Sequence, residues 1–542
     1  MRRTILTACV LVFLVSVATA QRPLVPDAVR AAADTITADG LKRDLDYLSS
    51  DELLGRQSPS PGFDKAADYI AKRLAKAGLK PLGDNGTYLQ HYMMRESRVD
   101  TGAASLEIGG TRFKFGTDFV LRSFAGPVSG ARKAVYVGHG WTVADKGIDP
   151  FAGVDVKGKL VVAHAQRAMP KDVEIRQIGR ISVGGTTVFA EAERRGAAGV
   201  IFLAGAPAGA SFEQMANQNT TRREIDPNVP SAYASIPVTS ALLARPAVDA
   251  LFAGERVAAA DVLAAGESRN YPPSFELAKS ITLNVPLAEQ TEHRPFNVVA
   301  MIEGTDPALK GEYVTIASHL DGAVGTRTVE GDAIYNAADD NASGSAGNLA
   351  IAETMMRVKP RRSVIFIWDS GEERGLWGTR YFVGMPPVPL KQIVTHFNVD
   401  MIAANRAPGS PDEKVATVAG DNEVYVVGPR VLSAKGDALV EAVNAAYLKM
   451  KFNRDDDTSE KEFFYPRTDA SPFLERGILT IDYYTGLHPR YHLPSDEARF
   501  LDPRKMEAIT RTLFATIWAF ADATERPGID KPIPPTVLPF YK

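Results

Sequence analysis

Between residues 281 and 524, short apolar runs of strand length alternate with longer runs of helical periodicity, and few folds accommodate that alternation. The spacing predicts strands over 297–302, 313–318, 364–368, 397–402, 424–427 and 479–484. Helices are expected over 345–358, 376–383, 439–450 and 504–524. Strand and helix in turn imply an α/β fold, a mostly parallel, mixed sheet with helices on both faces. Open sheets of this kind place ligands beyond the carboxyl ends of their strands, so those positions carry the functional reading.

The stretch SVIFIWDSGEERGLWG, residues 363–378, shows this most clearly. Its run 364–368 is β-branched or aromatic throughout, as in a strand buried on both faces. Gly371 then permits a turn, and Glu372 and Glu373 follow it. One of two adjacent carboxylates can bind a metal while its neighbour accepts a proton, although a Glu-Glu pair alone also reads as solvated helix surface. Other expected strand ends carry similar chemistry: His319 and Asp321 in SHLDG, Asp339 and Asp340 in ADDNASG, Asp400 in FNVDMI, and His488 and His492 in TGLHPRYHLPSD. Asp339 or Asp340 could instead simply cap the next helix. Nitrogen and carboxylate donors without sulfur suit zinc, cobalt or manganese, with zinc the default for a histidine-containing hydrolytic site.

A chain of 542 residues is too long for one ordinary core. Its net charge of -3 gives no electrostatic footprint for nucleic acid. Residues 1–20 read as a secretory signal: Arg2 and Arg3, an apolar run to Val17, then Ala18-Thr19-Ala20. The single cysteine, Cys9, lies inside that signal, so cysteine catalysis and disulfides are excluded from a mature chain starting at Gln21. No later segment is long and apolar enough for a membrane span, and the expectation is a periplasmic or extracellular product with no membrane or nucleic-acid partner. A helical leader ends at Gly78, and a β-rich region over 126–273 has strands expected at 133–137, 159–164 and 199–203 and a helix at 188–196. His139 and His164 have no acidic or histidine neighbours at ligand spacing and read as structural, and 206–231 reads as a long surface loop.

The ordered motifs SHLDG, ADDNASG, SGEERGLWG, NVDMI and GLHPRYHLPSD together resemble the co-catalytic zinc peptidase family that includes bacterial leucyl aminopeptidases and glutamate carboxypeptidase. The middle region, with DPFAGVDVKGKLVVA and ERRGAAGVIFL, resembles the protease-associated domain often inserted into such enzymes. The resemblance implies a leader over 21–125, an inserted domain over 126–280, a catalytic part over 281–525 and a tail over 526–542. It further implies two zinc ions bridged by Asp340, one also held by His319 and Asp400, the other by Glu373 and His492. Glu372 would be the general base, Asp321 would orient His319, and a cis peptide is expected between Asp340 and Asn341. His488 would line the substrate pocket, donate to the tetrahedral intermediate, or hold its loop. Peptides are the implied substrates and aminopeptidase the implied activity, with a carboxypeptidase or dipeptidase on small acidic peptides, or an inactive binding ectodomain, as alternatives. Arg327, Arg467 and Arg490 are the candidates for holding a substrate carboxylate, and Ala470 stands where the family commonly has histidine.

Overall fold

A computed structural model describes residues 23–533, apart from 125, 166–167, 174–175, 179–180, 184, 204–211, 222, 228, 230–237, 324 and 459–466. The expected signal at 1–20 lies outside the described residues. Among those described, no helix is long and apolar enough to cross a membrane.

The larger sheet has nine strands. Its strands are β1 (Lys80–Pro81), β2 (Leu89–His91), β3 (Phe296–Ile302), β4 (Tyr313–His319), β5 (Ser363–Asp369), β6 (Ile393–Val399), β7 (Glu423–Val427), β8 (Lys451–Asn453) and β9 (Leu479–Tyr484). The order is β1-β3-β5-β4-β6-β9-β7-β8, with β2 also on β3. The four central strands β5, β4, β6 and β9 run parallel. β3 and β7 run antiparallel to their inner neighbours β5 and β9. Every residue of β5 and β6 is buried, which explains their unbroken apolar character.

Helices α1 (Pro61–Ala77), α2 (Gly344–Met355), α4 (Ala434–Ala446) and α5 (Pro503–Asp522) share one large apolar core with the sheet, while α3 (Trp377–Gly384) packs into a separate core that includes Phe382, Ile365 and Phe473. The ends of α1 follow from local chemistry. Ser60 accepts the Phe63 N–H, Pro61 opens the first turn, and Gly78 closes the helix at φ 83°.

Two expected elements shift. The strand expected at 397–402 is Ile393–Val399, because beyond Val399 the backbone N–H groups of Ile402, Ala403 and Ala404 go to the side chains of Ser343 and Asp339 instead of a neighbouring strand. The helix expected at 439–450 is Ala434–Ala446. Ser433 caps its start, and the Asn444 side chain takes both the N–H and the carbonyl of Met450, turning the chain there.

A second sheet of eight strands contains Ser105–Ile108, Thr111–Phe113, Phe119–Ser123, Ala131–Tyr136, Leu160–His164, Gly199–Leu203, Ser240–Leu243 and Phe275–Asn284. The domain limits expected at 126 and 280 therefore cut through this sheet: three strands precede the first, and Phe275–Asn284 crosses the second. The reason is long-range pairing, with Phe275–Asn284 lying between Ser105–Ile108 and Ala131–Tyr136. The expected loop at 206–231 instead holds the helix Phe212–Thr221 and the strand Arg223–Pro227. Its polar sequence conceals an antiparallel pairing with Met94–Val99, which draws on backbone groups alone. His164 shares a 2.9 Å hydrogen bond with the Tyr136 hydroxyl, and His139 accepts the Trp141 N–H. Burial lowers both imidazoles to about 4, so they stay neutral and structural.

Candidate metal centre

The carboxyl ends of β4, β5 and β6 and the loop after β9 meet at one edge of the sheet, and five of the expected residues converge there. His319 ends β4, and its Nδ1–H donates to the Asp321 carbonyl at 3.0 Å, which leaves the Nε2 lone pair facing the site. That Nε2 lies 3.1 Å from Asp340 Oδ1 and 3.4 Å from Asp400 Oδ1. On the other side, His492 Nε2 lies 3.0 Å from Asp340 Oδ2 and 3.1 Å from Glu373 Oε2. The donor atoms thus form two trios, His319–Asp340–Asp400 and Asp340–Glu373–His492, each fitting within 4.8 Å. Asp340 belongs to both, offering one oxygen to each.

These donors fit a pair of cations. Among the described residues, His319 Nε2, Asp400 Oδ1 and Glu373 Oε1 are buried with no hydrogen-bond partner, a costly state unless an ion occupies the space between them. The electrostatics agree. Burial opposes a charged His319, yet Asp400 and Asp340 outweigh it and hold the ring well above its ordinary range. Burial likewise opposes a charged His492, and Asp340 and Glu373 raise it to about 10. Burial raises Glu373 to about 7, with Asp340 adding to the effect. Protons here stand in for the positive charge that a metal pair would bring.

A scaffold of polar side chains holds Asp340. Its peptide bond to Asn341 is cis. Asn341 Nδ2 donates to the Val399 carbonyl, while its Oδ1 accepts the N–H of Gly344 at the start of α2. Asn341 therefore does the capping that was open to Asp339 or Asp340. Asp339 instead accepts from Ala403 and Ala404, and Asp496 accepts the N–H groups of both Asp339 and Asp340.

Asp321 and His488 stand outside both trios. The Asp321 carboxylate is 4.0 Å from His319 Nδ1 and receives the Glu372 N–H at 3.2 Å, so Asp321 orients the imidazole through its carbonyl and the glutamate turn through its side chain. His488 is buried behind the site, with Nε2 3.4 Å from Asp339 Oδ2 and Nδ1 accepting the Arg490 N–H. It faces the scaffold of Asp339 and Asp496.

Glu372 belongs to neither trio. With Asp340 and Asp400 it lines a cavity of 420 Å³ whose other walls include Met401, Tyr425, Arg467, Tyr484, Leu487 and Tyr491. Burial raises the Glu372 carboxyl well above its usual range, and Asp469, Glu373 and Asp400 add to this against the pull of His319. Tyr491 escaped the sequence reading. Its ring stacks on His492 with centroids 3.7 Å apart, and its hydroxyl accepts from Arg467 at 3.3 Å. The one available signal was its position directly before His492 in a loop already marked by histidines.

A carboxylate shared by two histidine-containing trios at the carboxyl edge of a parallel sheet is a donor arrangement suited to a pair of metal ions. Residues 297–517 match the model of peptidase family M28. It is 31% identical over 193 residues to an aminopeptidase of Pseudomonas aeruginosa (strain UCBPP-PA14), covering 35% of this chain and 31% of that one. It is 28% identical over 217 residues to a probable leucine aminopeptidase 2 of Aspergillus fumigatus, covering 39% of this chain and 37% of the relative. The chain spans about a third of the length of these curated relatives. Among solved structures, the aminopeptidase from Aneurinibacillus sp. strain AM-1 superposes with a TM-score of 0.51 at 18% identity, covering 93% of this chain and 98% of that one, a likeness of fold.

Proposed function

We propose that this protein is an exported aminopeptidase that holds two zinc ions and removes N-terminal residues from peptides. The observation that carries the reading is the division of Asp340, one oxygen toward His319 and the other toward His492. His319 and Asp400 would hold one ion, Glu373 and His492 the other, with Asp340 between. Bound there, the pair would act as a Lewis acid on the scissile carbonyl and make water acidic enough to give up a proton.

The chain's own groups then have distinct tasks. Glu372, held by Asp321 through its backbone N–H, accepts the proton from the attacking water and returns it to the leaving amine. A carboxyl group whose burial favours the protonated form is well suited to passing a proton on. The Tyr491 hydroxyl, on the cavity wall beside His492, donates to the carbonyl oxygen as negative charge grows there. His319 is kept in one tautomer by the Asp321 carbonyl. The eight-stranded sheet is the proposed protease-associated domain, with limits extended to include the strands from Ser105 to Asn284.

One observation favours a carboxypeptidase as the second reading. Of the three arginines considered for a substrate carboxylate, Arg467 lines the cavity. Arg490 is engaged by Asp412 at 2.5 Å, and Arg327 lines a different cavity across Tyr491 and His492. A peptide pool, free and N-acetylated, incubated with and without a strong chelator and read by mass spectrometry, separates the two. Chelator-sensitive loss from free N-termini alone is the expected result. Trimming of acetylated peptides from the other end would replace the aminopeptidase reading.

A further inference from the structure

The 420 Å³ cavity has two chemically different ends. At one end are Asp340, Glu372, Asp400 and Tyr491, with Arg467 held against the Tyr491 hydroxyl. Around Tyr425 and Tyr484 at the other end stand two carboxylates, Asp455 and Asp456. The rings of Tyr425 and Tyr484 are 4.8 Å apart and form one aromatic wall, and the Tyr484 hydroxyl donates to Asp456. Burial first, and then the nearby aspartates, raise both phenols above their ordinary range, so these rings stay neutral. Met401, Ala416 and Leu487 add apolar surface to the same cavity.

The two carboxylates are held in place by their neighbours in the turn after β8. Asp457 is buried and accepts the N–H groups of Gly428 and Arg430, both at 2.9 Å. Arg454 donates to the Val426 carbonyl and pairs with Asp437, Glu441 and Asp457. Residues 454 and 457 thus pin the turn to β7 and α4, and the intervening Asp455 and Asp456 face the cavity. The Asp455 N–H donates to Asn453 Oδ1, and among the described residues no lysine or arginine lies within ion-pair distance of its carboxylate.

We propose that this cavity receives the side chain of the substrate's N-terminal residue and that Asp455 and Asp456 select lysine and arginine there. The proposal rests on the aminopeptidase reading and names its substrate class. A long basic side chain matches the sequence of surfaces: its methylene stem lies on Met401, Ala416 and Leu487, and its charged head meets two carboxylates and the faces of two tyrosines. Arg467 donates to the Tyr491 hydroxyl beside His492.

The test uses the full zinc-loaded protein and peptides differing only in an N-terminal lysine, arginine, leucine or glutamate. The parent protein is expected to favour lysine and arginine in kcat/KM. Asp455→Asn, an exposed isosteric change that leaves the core untouched, is expected to lower the lysine-to-leucine ratio about tenfold, mainly through KM, as befits the loss of one charge-assisted contact. A ratio that does not move would overturn the proposal. So would an equal loss on lysine and leucine peptides, since that would assign Asp455 to the α-ammonium group that both share. If the parent releases no N-terminal residue but trims acetylated peptides, the aminopeptidase reading itself fails. Release of leucine in preference to lysine defeats only the proposed selectivity.

Discussion

Arg56 donates through its guanidinium to the carbonyl of Ala337 at 2.9 Å, three residues before Asp340. The same side chain, wholly buried, also donates to the carbonyls of Leu48, Leu320 and Asn336. One residue of the leader therefore ties the loop after His319 to the loop that carries Asp340. Burial lowers this guanidinium to about 10, with Asp321, Asp496 and Asp340 opposing the shift, so it remains charged at neutral pH.

Arg56→Lys keeps the charge but cannot fork to four carbonyls. Stranding buried acceptors is expected to cost on the order of 3 kcal/mol. Thermal unfolding with and without zinc, together with chelator competition, should show a lower unfolding temperature and weaker zinc retention. Full retention of both would mean that the leader is not a determinant of the metal loops.

Glu372→Gln separates chemistry from metal binding, because Glu372 lies outside both trios. The variant should keep the metal content of the parent while kcat falls by about 100- to 10,000-fold, the range for removal of a general base. Near-normal turnover in this variant would remove Glu372 from the mechanism.

Asp340→Ala should lose both ions, whereas Glu373→Gln removes a donor from one trio only. Elemental analysis after gel filtration would distinguish them, and added zinc should raise the unfolding temperature of the parent far more than that of Asp340→Ala. His319 and His492 are both held protonated in the metal-free site, His492 up to about 10. Zinc binding must therefore release protons, and affinity should rise with pH; calorimetry in buffers of different ionisation enthalpy reads that release.

Tyr491→Phe removes only the hydroxyl that faces the cavity. The expected effect is a fall in kcat of about 100-fold with KM little changed, since the contact strengthens as charge develops. A change confined to KM would instead make Tyr491 a substrate-binding residue.

What the sequence disclosed and what it concealed have physical reasons. His319, Glu373 and Asp400 each stand at or just beyond a strand that is buried throughout or nearly so, and apolar runs point to them directly. The supports of the site are different in kind. Asp496 holds Asp339 from 157 residues away, and Asp339 in turn takes the N–H groups that end β6. No local pattern records such pairings, so β6 was expected too late in the chain. The sequence leaves His488 open between pocket, intermediate and loop for the same reason, its burial against Asp339 and Asp496 being a tertiary property. The limits at 126 and 280 fall inside the second sheet because Ser105–Ile108 pairs across the sequence with Phe275–Asn284.

Asp482 offers a test of buried charge away from the metal ligands. The residue is 1% exposed, with Oδ1 accepting from Asn398 and Thr468 and Oδ2 without a partner among the described residues. Burial raises this carboxyl from 3.8 to about 8. The folded protein therefore holds a proton that the unfolded chain has given up between those two values. The stabilising contribution is complete below the unfolded value and is lost as pH rises to the folded one. Asp482→Asn resembles the protonated form at every pH. Measured on metal-free protein, the variant and the parent should unfold at similar temperatures near pH 4, and the variant should be the more stable of the two above pH 8. Parallel curves across that interval would show that Asp482 carries no such proton in the folded state.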